Sequence, residues 1–358
     1  MNAAQLGQWW AQIRSVIRLE MKKTFFSKRG LWVYLLALSP VALFLGHSLV
    51  MLNDRDARLE LAAGHPVSRE AIRSLDDDVT KEQLLAKLGE PHSKSHFRRR
   101  NRERDVFKYT DGENDYTFHF ADGELVGRGQ NERCNIQKDS LIFATVFQFY
   151  FLRLAIFFGC VGIFMNLFRG ELLDKSLHFY LLAPIRREVL LVGKYLAGLL
   201  ATVVIFTVST GLQLWTMSLH FDGRALNEYL SGPGWGHVAA YLGVTALACL
   251  GYGSVFLAAG LLIRNPIIPA AIVLLWESAN LFLPAALKKI SIIFYLQSLC
   301  PVVAPPSGDM PPPLRLLISA AEPVATSVAV IGLLVVTGVV LVMASIRARR
   351  LEINYGTD

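Results

Sequence analysis

Six stretches of this chain are apolar over roughly the 20 residues that a helix needs to cross a bilayer. They fall at residues 31–52, 141–168, 195–219, 238–263, 267–287 and 324–346. Inside hydrocarbon each backbone N–H and C=O must find its partner within the same segment, so such runs fold as helices. The expected class is therefore an all-α polytopic membrane protein with six transmembrane helices. Lys22, Lys23, Lys28 and Arg29 precede the first run, Arg169 follows the second, and Arg186, Arg187 and Lys194 precede the third. Arg264 follows the fourth, and Arg347, Arg349 and Arg350 follow the last. Cytoplasmic flanks carry the excess of Lys and Arg, which places both termini inside a multi-pass protein of the bacterial cytoplasmic membrane. The net charge of +7 is spread beside the spans, a pattern for setting topology and touching anionic lipid rather than for binding nucleic acid.

Residues 1–30 read as an interfacial elbow helix on the cytoplasmic side. Leu6, Trp9, Trp10, Ile13, Val16 and Ile17 recur at helical spacing, while Arg14, Arg18 and Lys22 fall elsewhere. Tryptophans opposite cations suit a helix lying in the headgroup layer. A helix packed on a soluble partner is the plainer alternative.

Residues 53–139 are polar and lack a long apolar run, so they are expected to form a small extracytoplasmic α+β domain of two helices and a three-stranded antiparallel sheet. The helices are expected at 67–75 and 80–88, the second with a Thr80/Gln83 capping box and a stop at Gly89. The strands are expected at 105–110, 115–120 and 124–126, joined by turns at Asp111-Gly112 and Asp122-Gly123. Arg98, Arg99, Arg100, Arg102 and Arg104 crowd the entry to the first strand. They read as a solvated loop or, more sharply, as a contact for an anion, a lipid headgroup or an acidic protein. The run from Thr80 to Gly127 resembles the small domain of the β-lactamase-inhibitor-protein and small outer-membrane-lipoprotein type. That resemblance implies a module working by protein contact, for example with an envelope protein.

Between the second and third runs lies a polar stretch, residues 169–194. Glu171 opens it, Leu181-Leu182-Ala183-Pro184-Ile185-Arg186 form its middle, and Gly193-Lys194 lead into the next span. This order resembles the first cytoplasmic loop of ABC-2-type permeases, the membrane subunits of one class of ATP-binding-cassette transporters. Lys175-Ser176 stands where that family often has Gly-Thr. The resemblance implies six spans, an elbow helix, and a coupling loop seated on a separate ATPase. Leu177, Tyr180 and Leu181 would then be apolar anchors in a groove, Pro184 would break the helix, and Glu171, Asp174, Arg186 and Arg187 would fix the register. A second permease copy or homologue would complete the transporter.

No Walker loop, zinc-protease, nucleophile-elbow or dinucleotide fingerprint is present in the sequence. The chain is thus read as no enzyme and as binding no cofactor or metal, with ATP and Mg on the partner ATPase. The four cysteines are widely spaced, with no metal-ligand pattern. Cys134 and Cys300 share the outer side and are the pair available for a disulfide. Arg153 and Glu277 lie deep in their runs, where a charge costs at least ~2.5 kcal/mol, and are expected to pair, within one chain or across a dimer. Beyond the fifth run, residues 288–323 hold an amphipathic segment and a Pro-rich outer loop, and residues 347–358 form a cytoplasmic tail. The leading functional expectation is an ABC-2 permease coupling ATP hydrolysis to export. The alternative is a membrane-anchored envelope assembly or sensory scaffold acting through the outer domain.

Overall fold

The computed structural model describes residues 3–26, 30–75, 79–99, 102–112, 114–132, 135–173, 186–263, 265–279, 284–302 and 324–349. The chain forms two compact units. The first comprises Met1–Phe44, Ser140–Thr216 and Asn227–Asp358, and the second Leu45–Asp139 and Met217–Leu226.

In chain order, α1 is Ala3–Phe26, α2 Leu31–Gly64, α3 Arg69–Arg73 and α4 Lys81–Leu88. The strands β1 Ser93–Arg99, β2 Arg102–Thr110, β3 Asn114–Ala121 and β4 Glu124–Glu132 follow. Next come α5 Ile136–Thr145, a π-helical segment Val146–Ile156, α6 Phe157–Phe164, α7 Asn166–Leu173 and α8 Arg187–Ser218. Then come α9 Gly223–Tyr229, α10 Trp235–Leu262, α11 Ile267–Ala279, α12 Ala285–Lys288, α13 Ile292–Leu299 and α14 Thr326–Arg349.

Among the described residues, five helical stretches are long and apolar enough to cross a membrane: Leu31–Gly64, Ile136–Phe168, Arg187–Ser218, Gly223–Leu262 and Thr326–Arg349. Within the expected fifth span, residues 267–287, the described residues form the 13-residue α11 and, after Pro284, short α12, with residues 280–283 outside the described residues. At 1.5 Å per residue α11 reaches only about 20 Å, short of a ~30 Å hydrocarbon core. Pro284 carries no N–H and stands as the N-cap of α12 with an extended ψ of 152°. Aliphatic side chains on α14, including Ile331, Val335, Val339 and Val342, are exposed, whereas Ala329, Leu333 and Ala344 are buried. That division fits one face in lipid and one in the bundle.

Within the first unit α10 packs against α6, α13 and α14. Hydroxyls join the long helices, because polar groups in an apolar layer need partners. Thr210 Oγ1 lies 2.9 Å from Thr245 Oγ1, and Tyr195 donates to the Leu250 carbonyl at 2.9 Å.

The second unit carries an antiparallel sheet in the order β1-β2-β3-β4. This corrects the expected three strands. Ser93–Arg99, whose Arg98 and Arg99 belong to the cluster read as a solvated loop, pairs along β2 from Ser93↔Lys108 to Arg99↔Arg102. β1 is an edge strand whose Lys94, Ser95, His96 and Phe97 are exposed, so it shows none of the alternation that marks a half-buried strand. Both small helices fall within the expected ranges, while β2 begins at Arg102 rather than residue 105 and β4 runs on to Glu132 rather than ending at residue 126. Thr80 and Gln83 form the reciprocal capping box. Phe107, Tyr109, Tyr116, Phe118 and Phe120 from one face of the sheet bury against Ile72, Leu75, Leu84 and Leu88.

Candidate functional site

Two groups of polar side chains stand out in the first unit, each held where an apolar residue would be the default.

The first surrounds Glu277, near the end of α11. Its carboxylate accepts hydrogen bonds from Ser291 Oγ at 2.5 Å, from Ile292 N at 3.0 Å and from Ile293 N at 3.1 Å. It therefore caps α13, supplying a negative charge where the first N–H groups of a helix point outward without intrahelical partners. These three bonds compensate the near-complete burial of Glu277. Arg153 stands in the π-helical segment, where i→i+5 bonding inserts an extra residue per turn and shifts the faces that follow. Its guanidinium lies 5.5 Å from the Phe149 ring centroid. Its Nε and Nη2 are buried without a hydrogen-bond partner among the described residues. Arg153, Tyr252 and Glu277 are near enough to interact electrostatically. No hydrogen bond or ion pair joins Arg153 to Glu277, whose carboxylate is turned to the start of α13. Within this chain the two side chains are neighbours joined by no direct bond, which leaves a pair across two copies as the form open to Arg153. Gln148 donates to the Val302 carbonyl at 2.8 Å.

The second group lies around the start of α8. Lys194 is fully buried, and its Nζ donates to Glu20 Oε1 at 2.7 Å and to the Leu167 carbonyl at 2.7 Å. One turn of α1 earlier, Val16 lies against Gly193, where an added Cβ would sit 3.0 Å from the Val16 Cβ. The Gly193-Lys194 pair thus receives α1 by close approach and then by charge. Arg186 stacks its guanidinium 5.1 Å from the Trp9 ring centroid. Arg187 donates to the Arg349 carbonyl at 2.8 Å, and Arg349 pairs with Glu188. α1, α8 and the end of α14 are so joined beside the polar loop.

Of the expected coupling residues, Arg186 and Arg187 are exposed and placed as above. Glu171 is in the last turn of α7. Asp174, Leu177, Tyr180, Leu181 and Pro184 lie outside the described residues. In the second unit Arg98 and Arg99 end β1, while Arg102 and Arg104 begin β2, with Arg98 in register with Glu103. Arg104 is exposed, and Arg100 lies outside the described residues. Cys300 is buried and its thiol donates to the Leu296 carbonyl at 3.4 Å, while Cys134 lies outside the described residues.

Glu20 was legible only as one charge on an amphipathic helix. Its apolar neighbours Val16 and Ile17 were the sole signal that this face is covered.

Searches of protein-family models, curated proteins and solved structures return no match to this chain.

Proposed function

We propose that the chain is the membrane-spanning permease subunit of an ATP-binding-cassette transporter of the ABC-2 type, driven by a separate ATPase. The observation that carries this reading is Arg153, a cation inside an apolar helical unit with hydrogen-bonding capacity left over. A charge at that depth costs about 2.5–3.5 kcal/mol on insertion scales, and a passive anchor has no use for it. An unfilled guanidinium suits transient recognition of a carboxylate or phosphate on a translocated molecule. The joint of α1, α8 and α14 supports the same reading. It makes a stiff seat beside the polar loop 169–194, through which movement of a docked ATPase would reach the helices. In this reading both termini and that loop are cytoplasmic, residues 53–139 are extracytoplasmic, and two permease copies or homologues assemble with two ATPases.

The test is purification of the tagged chain from its native membrane in mild detergent, with mass spectrometry of its companions. The control carries Leu177→Asp with Leu181→Asp. Recovery of a Walker-motif ATPase with the native chain and its loss with the control supports the proposal. Absence of any such ATPase, with envelope proteins bound instead through residues 53–139, moves the scaffold reading ahead.

A further inference from the structure

His47, Asp139 and His220 converge within the second unit although the sequence separates them widely. His47 projects from α2, Asp139 from the first turn of α5, and His220 from the turn that follows Ser218. One ligand atom from each lies within 4.8 Å of the other two. His220 Nε2 is 3.0 Å from Asp139 Oδ2, and His47 Nε2 is 3.7 Å from Asp139 Oδ1. The two imidazoles meet edge to face, with centroids 5.4 Å apart. Both rings thus turn a nitrogen toward one carboxylate.

We propose that His47, Asp139 and His220 bind a single divalent transition-metal ion, zinc being the best fit. Four observations support it. First, two imidazole nitrogens and one carboxylate are a donor set for zinc and its neighbours, not for calcium or magnesium, which take oxygen. Second, ligands at 2.0–2.1 Å from a tetrahedral ion stand about 3.4 Å apart, so the set closes on an ion with small side-chain shifts. Third, Ser48, the residue after His47, places its Oγ 3.0 Å from His220 Nδ1. A partner on the far nitrogen is what orients a metal-binding histidine and leaves the other nitrogen to coordinate. Fourth, His47 Nε2 is buried without a hydrogen-bond partner among the described residues, and its 3.7 Å approach to Asp139 is too long for one. An ion between the two groups would satisfy both.

Asp139 and His220 are almost wholly buried, while the His47 side chain keeps 24% of its exposure. The ion would enter past His47, and three protein ligands leave a fourth position for water or an exogenous group. His47 and Asp139 stand near the two ends of the Leu45–Asp139 segment. A bound ion would join those ends directly.

The experiment uses the full chain in detergent, stripped with a chelator, loaded with zinc and desalted, with bound metal counted by mass spectrometry. One zinc per native chain is expected, undisturbed by excess magnesium or calcium. His47→Gln, at the partly exposed ligand, should lower affinity at least ~10-fold, and Ser48→Ala should weaken it by a similar ~10-fold without removing a ligand. Cobalt(II) loaded into the native chain should give the absorption of a four- or five-coordinate ion, a readout independent of any variant. Native protein that retains no zinc overturns the proposal. So does His47→Gln combined with His220→Gln holding as much zinc as the native chain, or a cobalt spectrum of the six-coordinate aqua ion.

Discussion

Lys194 Nζ lies 2.7 Å from Glu20 Oε1 with both side chains buried, so one ion pair ties the N-terminal helix to the helix that follows the polar loop. Removing one member leaves the other charged and desolvated, which costs about 3–5 kcal/mol. Lys194→Met and Glu20→Gln should therefore each lose several kcal/mol in denaturation of the detergent-solubilised chain. Lys194→Met with Glu20→Leu should lose less than either alone. Additive losses would show that the two residues act independently.

Glu277→Ala should free the start of α13. The N–H groups of Ile292 and Ile293 and the Ser291 hydroxyl lose their acceptor, at about 1–3 kcal/mol for each group left unsatisfied. Hydrogen exchange at residues 292 and 293 is the direct measure and should accelerate. Protection equal to the native level would mean that α13 holds itself without the carboxylate.

Asp105 in the sheet is a second acid with built-in donors. Hydrogen bonds from Lys81 and then His96, the latter at 2.7 Å, hold its carboxyl below the usual aspartate range. A folded-state pKa below the unfolded one stabilises the fold fully above the unfolded value, near 3.9, and loses that contribution as pH falls through the folded value. The stability gap between native protein and Asp105→Asn should be steady near neutrality and narrow as the pH drops below about 4. A gap that widens in acid would contradict the assignment.

Two glycines in the same unit separate conformational strain from collision. Gly89 and Gly123 both have positive φ, +76° and +91°. An added Cβ at Gly89 would sit 2.6 Å from the His65 ring, whereas at Gly123 it meets nothing within 4 Å. Gly123→Ala should cost about 1–2 kcal/mol from the left-handed backbone alone. Gly89→Ala should cost more, because its ψ of −166° lies where glycine is nearly obligatory and its Cβ would also meet His65. Thermal unfolding of the two variants side by side measures it, and a loss at Gly89→Ala no larger than at Gly123→Ala would contradict this.

Features decided within a few residues were legible in the sequence. The Thr80/Gln83 capping box and the turn at Asp122-Gly123, where Asp122 has φ 52°, are set by local sterics and hydrogen bonding. β1 was hidden because an edge strand with exposed side chains has no apolar rhythm, and its pairing depends on β2. Glu277 reads from the sequence as a costly buried charge, while its hydrogen-bond donors within the chain do not. Charge suggests an opposite charge, while a helix start fourteen residues on offers backbone donors that no composition reveals. Lys194 with Glu20, and His47 with Asp139 and His220, meet only after the long helices have assembled. No spacing rule reaches across such separations.

The bond from Ser291 back to Glu277, with those from Ile292 and Ile293, closes residues 277–291 into a ring without a covalent link. One carboxylate holds both ends of that ring, and loop closure grows only logarithmically, at about 0.6 kcal/mol for each doubling. Lengthening the ring would therefore cost this clasp less than leaving one of its buried donors unsatisfied, at about 1–3 kcal/mol.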